Sequence, residues 1–148
     1  MSRTLHLVDI ENLCADPDAP AVVVRDVLGD YLATAMWQEG DLVVIASNPV
    51  LARRFVWDRP VDWSVHTAHG RDGADLALLT HAAPEFVARR AERLVIGSGD
   101  HAFIPRALEC RRRGVGVLVV ARPDCTAQGW HEHGFPVQGL GSLLEEAA

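Results

Sequence analysis

Apolar residues run nearly unbroken from Leu5 to Val8, with His6 the one exception, and the run stops at Asp9. A strand that is apolar at successive rather than alternate positions is buried on both faces. Leu42 to Ala46, Leu94 to Ile96 and Val115 to Ala121 repeat the pattern, and Trp63 to Thr67 is a shorter candidate. Between these runs the period changes. Val24, Val27, Leu28, Tyr31, Leu32 and Ala35 recur at helical spacing, with Gly40 as the expected stop. Ser47-Asn48-Pro49 breaks the second strand, and Val50 to Trp57 predicts a short helix with Arg53 and Arg54 turned to solvent. Asp75 to Ala82 predicts another helix, which Pro84 interrupts or restarts through Glu85 to Arg93. Phe103 to Arg113, closed by Gly114, is the last long one.

Helices alternating with buried strands imply right-handed crossovers and a parallel sheet covered on both sides. The predicted fold is therefore α/β: a single-domain, Rossmann-like, three-layer α/β/α arrangement with a mainly parallel sheet of about five strands. At 148 residues one domain accounts for the whole chain, with a core over residues 3–121 and a tail over 122–148. The tail holds a candidate strand around Phe135 to Val137 and a candidate helix from Leu140 to Ala147.

No apolar run approaches the roughly 20 residues of a membrane span. Asp9 and Glu11 stand where a signal peptide needs its apolar segment, so the expected compartment is the cytoplasm. Cys14, Cys110 and Cys125 are odd in number and far apart, which fits reduced thiols packed as small apolar groups. All 14 basic residues are arginine. Without lysine there is neither a Schiff-base amine nor a Walker A loop. Gly97-Ser98-Gly99 lacks the third glycine of the dinucleotide fingerprint. A net charge of −6 argues against general coating of a polyanion, so any nucleic-acid contact is local or metal-assisted.

Three acidic segments remain to be explained. Asp9 ends the first strand, with Glu11 and Asn12 one turn on; Asp72-Gly73-Ala74-Asp75 opens a helix; Gly97-Ser98-Gly99-Asp100 follows the fourth strand. Residues leaving the C-terminal ends of parallel strands converge on one crevice. Each aspartate also has a structural explanation. Asp9 can bond the amides of its own loop, and Asp72 or Asp75 can serve the start of a helix, as can Asp100. The glycines beside Asp100 leave room for a ligand that a simple cap does not need. Two carboxylates about 4 Å apart repel by roughly 4 kcal/mol at an effective dielectric near 20, so a converging set calls for a shared proton or a divalent cation. Oxygen-only donors favour Mg²⁺ or Mn²⁺ over Zn²⁺.

In this order, Val8-Asp9-Ile10-Glu11-Asn12-Leu13, Asp72 to Leu78 and Ile96 to Pro105 resemble the NYN domain family of the PIN-like nuclease superfamily. The resemblance spans roughly residues 3 to 121. It implies a PIN-like domain that cleaves RNA with Mg²⁺ or Mn²⁺, with Asp9, Asp75 and Asp100 matching the metal-binding acids and Asn12 the polar residue of the first motif. Two positions depart from the family: Ala102 stands where a further aspartate is usual, and Asp72 where lysine is frequent. Around this site Glu11 or Asp72 is placed to orient a water and His101 to carry a proton, while Asn48, Arg71, Ser98 and Arg106 are candidate substrate contacts.

Three other functions compete. A haloacid-dehalogenase-type phosphatase needs an aspartate where Glu11 stands, and a lysine. A zinc site at Cys125, His131 and His133 has no standard spacing, and the tail there reads as a mobile loop. The stronger rival is a PIN-like domain that has lost a ligand at Ala102 and binds RNA or protein without cleaving it. Homo-oligomerisation stays open, and Trp37, Trp57 and Trp63 read as packing residues.

Overall fold

The computed structural model describes residues 2–55, 60, 62–70 and 72–140. Six parallel strands form one sheet in the order β3-β2-β1-β4-β5-β6, where β1 is Thr4–Asp9, β2 Leu42–Ser47, β3 Ser64–Thr67, β4 Arg93–Gly97, β5 Gly116–Ala121 and β6 Val137–Gly139. The sixth strand comes from the tail, where the candidate strand around Phe135 to Val137 forms two residues later than predicted and adds to the sheet of about five. Helices fill the crossovers: α1 Ile10–Cys14, α2 Ala21–Thr34, α3 Pro49–Phe55, α4 Gly73–Thr80, α5 Pro84–Arg90, α6 Ile104–Arg112 and α7 Gln128–Glu132. Among the described residues no helix is long and apolar enough to cross a membrane.

The alternation of side chains along a strand assigns the two layers. Leu5 and Leu7 point to the face covered by α4, α5, α6 and α7, with Leu94, Ile96 and Val119 beside them and Leu78, Phe103 and Trp130 above. Val8 faces the opposite layer with Ile45 and Val95, under Leu13, Tyr31 and Leu51 of α1, α2 and α3. His6 belongs to this second face and is fully buried. Its Nδ1 lies 2.8 Å from Tyr31 Oη and its Nε2 2.9 Å from Asp41 Oδ2. Burial pulls the imidazole below its usual pKa against the opposing pull of Asp41. A neutral His6 therefore donates from Nε2 to Asp41 and accepts the Tyr31 hydroxyl at Nδ1.

Several predicted boundaries move. The second helix stops at Thr34, where Met36 takes a left-handed φ of 57°, and Gly40, φ 96°, belongs to the turn before β2. Pro84 restarts a helix as its first residue, leaving Arg93 to open β4. Arg54 is not simply solvated: its guanidinium bonds the Asp18 carbonyl and carboxylate and the Ala19 carbonyl. Trp37 and Trp63 pack edge to face, with centroids 5.8 Å apart. Residues 141–147 of the predicted 140–147 helix and residues 56 and 57 of the predicted 50–57 helix, including Trp57, lie outside the described residues.

Candidate active site

The chain leaves β1 for β2 on one side of the sheet, whereas β4, the neighbour of β1 on the other side, continues outward to β5. Between the C-terminal ends of β1 and β4 the crossovers diverge, and a parallel sheet opens a crevice there. Asp9 is the last residue of β1, and Gly97 ends β4, in register with Val8. A crevice of about 340 Å³ lies at this edge, and its walls include Asp9, Glu11, Asn12, Asp75, Asp100 and Cys125. Asp9, Asp75 and Asp100, far apart in sequence, thus meet around one space.

Each has a local structural reason to be where it is. Asp9 caps α1, its Oδ1 accepting the Asn12 amide at 3.2 Å. Asp100 caps the 3₁₀ turn His101–Phe103, its Oδ1 accepting the Ala102 amide at 2.8 Å. Asp75 lies in the first turn of α4, where the helix dipole favours a carboxylate. Capping alone does not account for the electrostatics. Asp9 is pushed up to about 7, first by burial, against the Asn12 amide bond, and further by the charges of Asp75, Glu11 and Asp100. Asp75 is pushed up to about 6 by burial, by the charges of Asp100 and Asp72 and by a hydrogen bond shared with Asp100, with His101 pulling the other way. Asp72 occupies the N-cap position of α4 without a side-chain bond to the helix.

The remaining predicted residues divide. Asn12 is a strut: its Oδ1 accepts the Gly99 amide at 3.0 Å, joining the turn after β1 to the loop after β4. Ser98 is fully buried and its Oγ accepts the Asp100 amide at 3.2 Å, a role in shaping the loop. His101 is 85% exposed, with Nδ1 3.4 Å from Asp100 Oδ1. Asn48 caps α3, accepting the Leu51 amide and donating to the Pro17 carbonyl. Arg106 donates to the carbonyls of Leu79, in the last turn of α4, and of Ala82 just beyond it, where basic groups suit the dipole. Both are thereby tied to the scaffold, and neither lines the crevice. Arg71 lies outside the described residues.

The stretch of tail around Cys125 to His133, expected to be a mobile loop, is ordered and contributes a wall of the site. Pro123–Cys125 forms a 3₁₀ turn, and α7 follows with a fully buried Trp130. Cys14 and Cys110 are buried as predicted, whereas Cys125 faces the crevice. Gly99 lies directly beneath this segment. A Cβ on it would stand 2.1 Å from the Cys125 carbonyl oxygen and 2.8 Å from Thr126 Cα. Neither atom can swing away as a side chain would, so Gly99→Ala should cost about 3 kcal/mol or more in urea denaturation. A loss under about 1 kcal/mol would show that the tail does not press on the loop.

The residues suit a divalent cation in charge and donor type. All three central groups are oxygen donors, two have carboxyls raised first by burial and further by neighbouring carboxylates, and among the described residues no arginine or lysine lines the crevice. As arranged, no three His, Cys, Asp or Glu among the described residues stand within reach of one ion. Comparison of the chain with protein-family models, with curated proteins and with solved structures gave no match.

Proposed function

We propose that this chain is a divalent-cation-dependent ribonuclease, acting at the Asp9, Asp75 and Asp100 crevice with Mg²⁺ or Mn²⁺. One observation carries the reading: three carboxylates from three chain segments face a single crevice at the divergence of the sheet, and two are held far above the usual carboxylate range. A phosphodiester about 5 Å from one such carboxylate is repelled by roughly 3 kcal/mol at an effective dielectric near 20, so it enters only with a cation. The same topology in dinucleotide-binding folds offers glycines and a bare helix N-terminus to a pyrophosphate. Here Asp9 and Glu11 occupy that position. RNA as the substrate rests on the resemblance of the three segments to the NYN domain family.

Asp9, Asp75 and Asp100 are the residues that would hold the ion. When bound, it supplies charge neutralisation of the phosphodiester and a lowered pKa for an attacking water. Glu11, on the crevice wall, is placed to take the proton of that water. Asn12 and Ser98 fix the two loops that bear Asp9 and Asp100.

The test is hydrolysis of an end-labelled single-stranded RNA with Mn²⁺ and with EDTA. Cleavage that requires the divalent ion is expected. RNA that is bound yet stays intact in every divalent metal would favour the second reading, a binding module. That reading draws on Ala102 and on the absence, among the described residues, of a preformed three-ligand cluster.

A further inference from the structure

We propose that Trp130 is a positioning residue for the Asp100 carboxylate, so that the segment after β5 is part of the active-site machinery rather than an appendage. The inference rests on the metal-centre reading above for its functional consequence, though not for its geometry. Trp130 is fully buried, and its indole Nε1 donates to the Gly99 carbonyl at 3.1 Å, within a contact closed to solvent. The Ala127 amide donates to the same oxygen at 2.9 Å, so both acceptor positions of that carbonyl are filled. The Gly99 amide is held in turn by Asn12 Oδ1 at 3.0 Å.

The peptide joining Gly99 to Asp100 is planar, so holding its oxygen fixes its N–H as well. That N–H is the one that reaches Ser98 Oγ at 3.2 Å. With its amide direction set, Asp100 presents its side chain from a fixed backbone, accepting the Ala102 amide and lying beside Asp75. A buried indole must satisfy its N–H somewhere. What makes this bond more than satisfaction is the acceptor: it belongs to Gly99, whose own amide is held by Asn12, so this glycine ties the tail on one side to the helix capped by Asp9 on the other. No glycine-to-larger change could keep this contact, because Cys125 and Thr126 already touch Gly99.

Trp130→Phe removes the donor and keeps an aromatic ring in the core. Phe135→Leu is the matched control, since Phe135 is buried and stacks edge-on against Trp130 at 5.3 Å but makes no bond to the loop. Two quantities would be measured on the full chain beside thermal stability: amide hydrogen exchange at Gly99 and Ala102, and Mn²⁺ affinity by calorimetry. Trp130→Phe should speed exchange at those two amides and weaken Mn²⁺ binding, each by about fivefold to tenfold, the loss of one hydrogen bond. Phe135→Leu should lower the melting temperature while leaving Mn²⁺ affinity within about twofold.

Unchanged exchange in Trp130→Phe overturns the proposal. So does Mn²⁺ affinity that falls equally in both variants, in step with stability, or that does not fall at all in Trp130→Phe. If the wild-type chain binds no Mn²⁺ and cleaves no RNA, the metal-centre reading fails by itself. The exchange contrast between the two variants then still decides whether Trp130 holds the Asp100 loop.

Discussion

Asp9→Asn should abolish Mn²⁺-dependent RNA cleavage, lowering the single-turnover rate by about 10³-fold, with RNA affinity nearly unchanged. The substitution is chosen because it separates the two roles of the residue. As the cap of α1, Asp9 needs only an oxygen to accept the Asn12 amide, and an asparagine carbonyl supplies one in the same volume. As a member of the acidic crevice it needs its charge, which asparagine lacks. The fold therefore survives and the chemistry does not. Rates should be taken at saturating RNA and at several Mn²⁺ concentrations. A rate within about tenfold of wild type at high Mn²⁺ would mean that Asp9 caps a helix and nothing more.

The four inner strands were legible because they are largely buried on both faces and so read as unbroken apolar runs, from Leu5 to Val8 through Val115 to Ala121, whereas the edge strands β3 and β6 are only part-buried. Periodicity also located the crossover helices α2 to α6, and the parallel sheet followed from their alternation with buried strands. The convergence of Asp9, Asp75 and Asp100 was legible for the same reason: parallel strands deliver their exits to one edge. What failed to show was short or distant. The five-residue helix α1 carries too few residues for a period to register, and α7 likewise. Asn48 and Arg106 were assigned to substrate by their position near strand exits. Only the three-dimensional structure reveals the carbonyls of Pro17, Leu79 and Ala82 that claim them. Trp130 gave a faint signal, one large aromatic in a polar stretch, but its acceptor lies 31 residues earlier.

The burial and repulsion that raise Asp9 and Asp75 should also be visible without a cation, as a fall in stability with rising pH. Asp9 and Asp75 both have an ordinary value of 3.8 and are raised to about 7 and about 6 in the folded chain. Below about pH 4 each is protonated, folded or unfolded, and nothing changes. Between about pH 4 and 7 the unfolded chain has released protons that the folded chain keeps, so stability declines through this window and levels above it. Burial is the larger cause of both shifts, the repulsion between neighbouring carboxylates enters each, and solvent screens the less enclosed Asp75, so about 3 to 5 kcal/mol is expected for the pair. Other groups slope differently. Burial holds His6 and His66 below their usual value, which favours folding as pH rises toward 6.5, and Asp41 is lowered and acts only at more acid pH. The difference between wild type and Asp9→Asn cancels these, since both chains carry them. In EDTA, urea denaturation at pH 8 should find Asp9→Asn more stable than wild type by about 2 kcal/mol or more, with the gap closing by pH 4.5. Mn²⁺ at about 100 times its dissociation constant should recover about 2.7 kcal/mol for wild type and much less for the variant. A variant less stable than wild type at pH 8 would mean that the Asp9 carboxylate is already satisfied by its own loop, leaving no excess charge for an ion to neutralise.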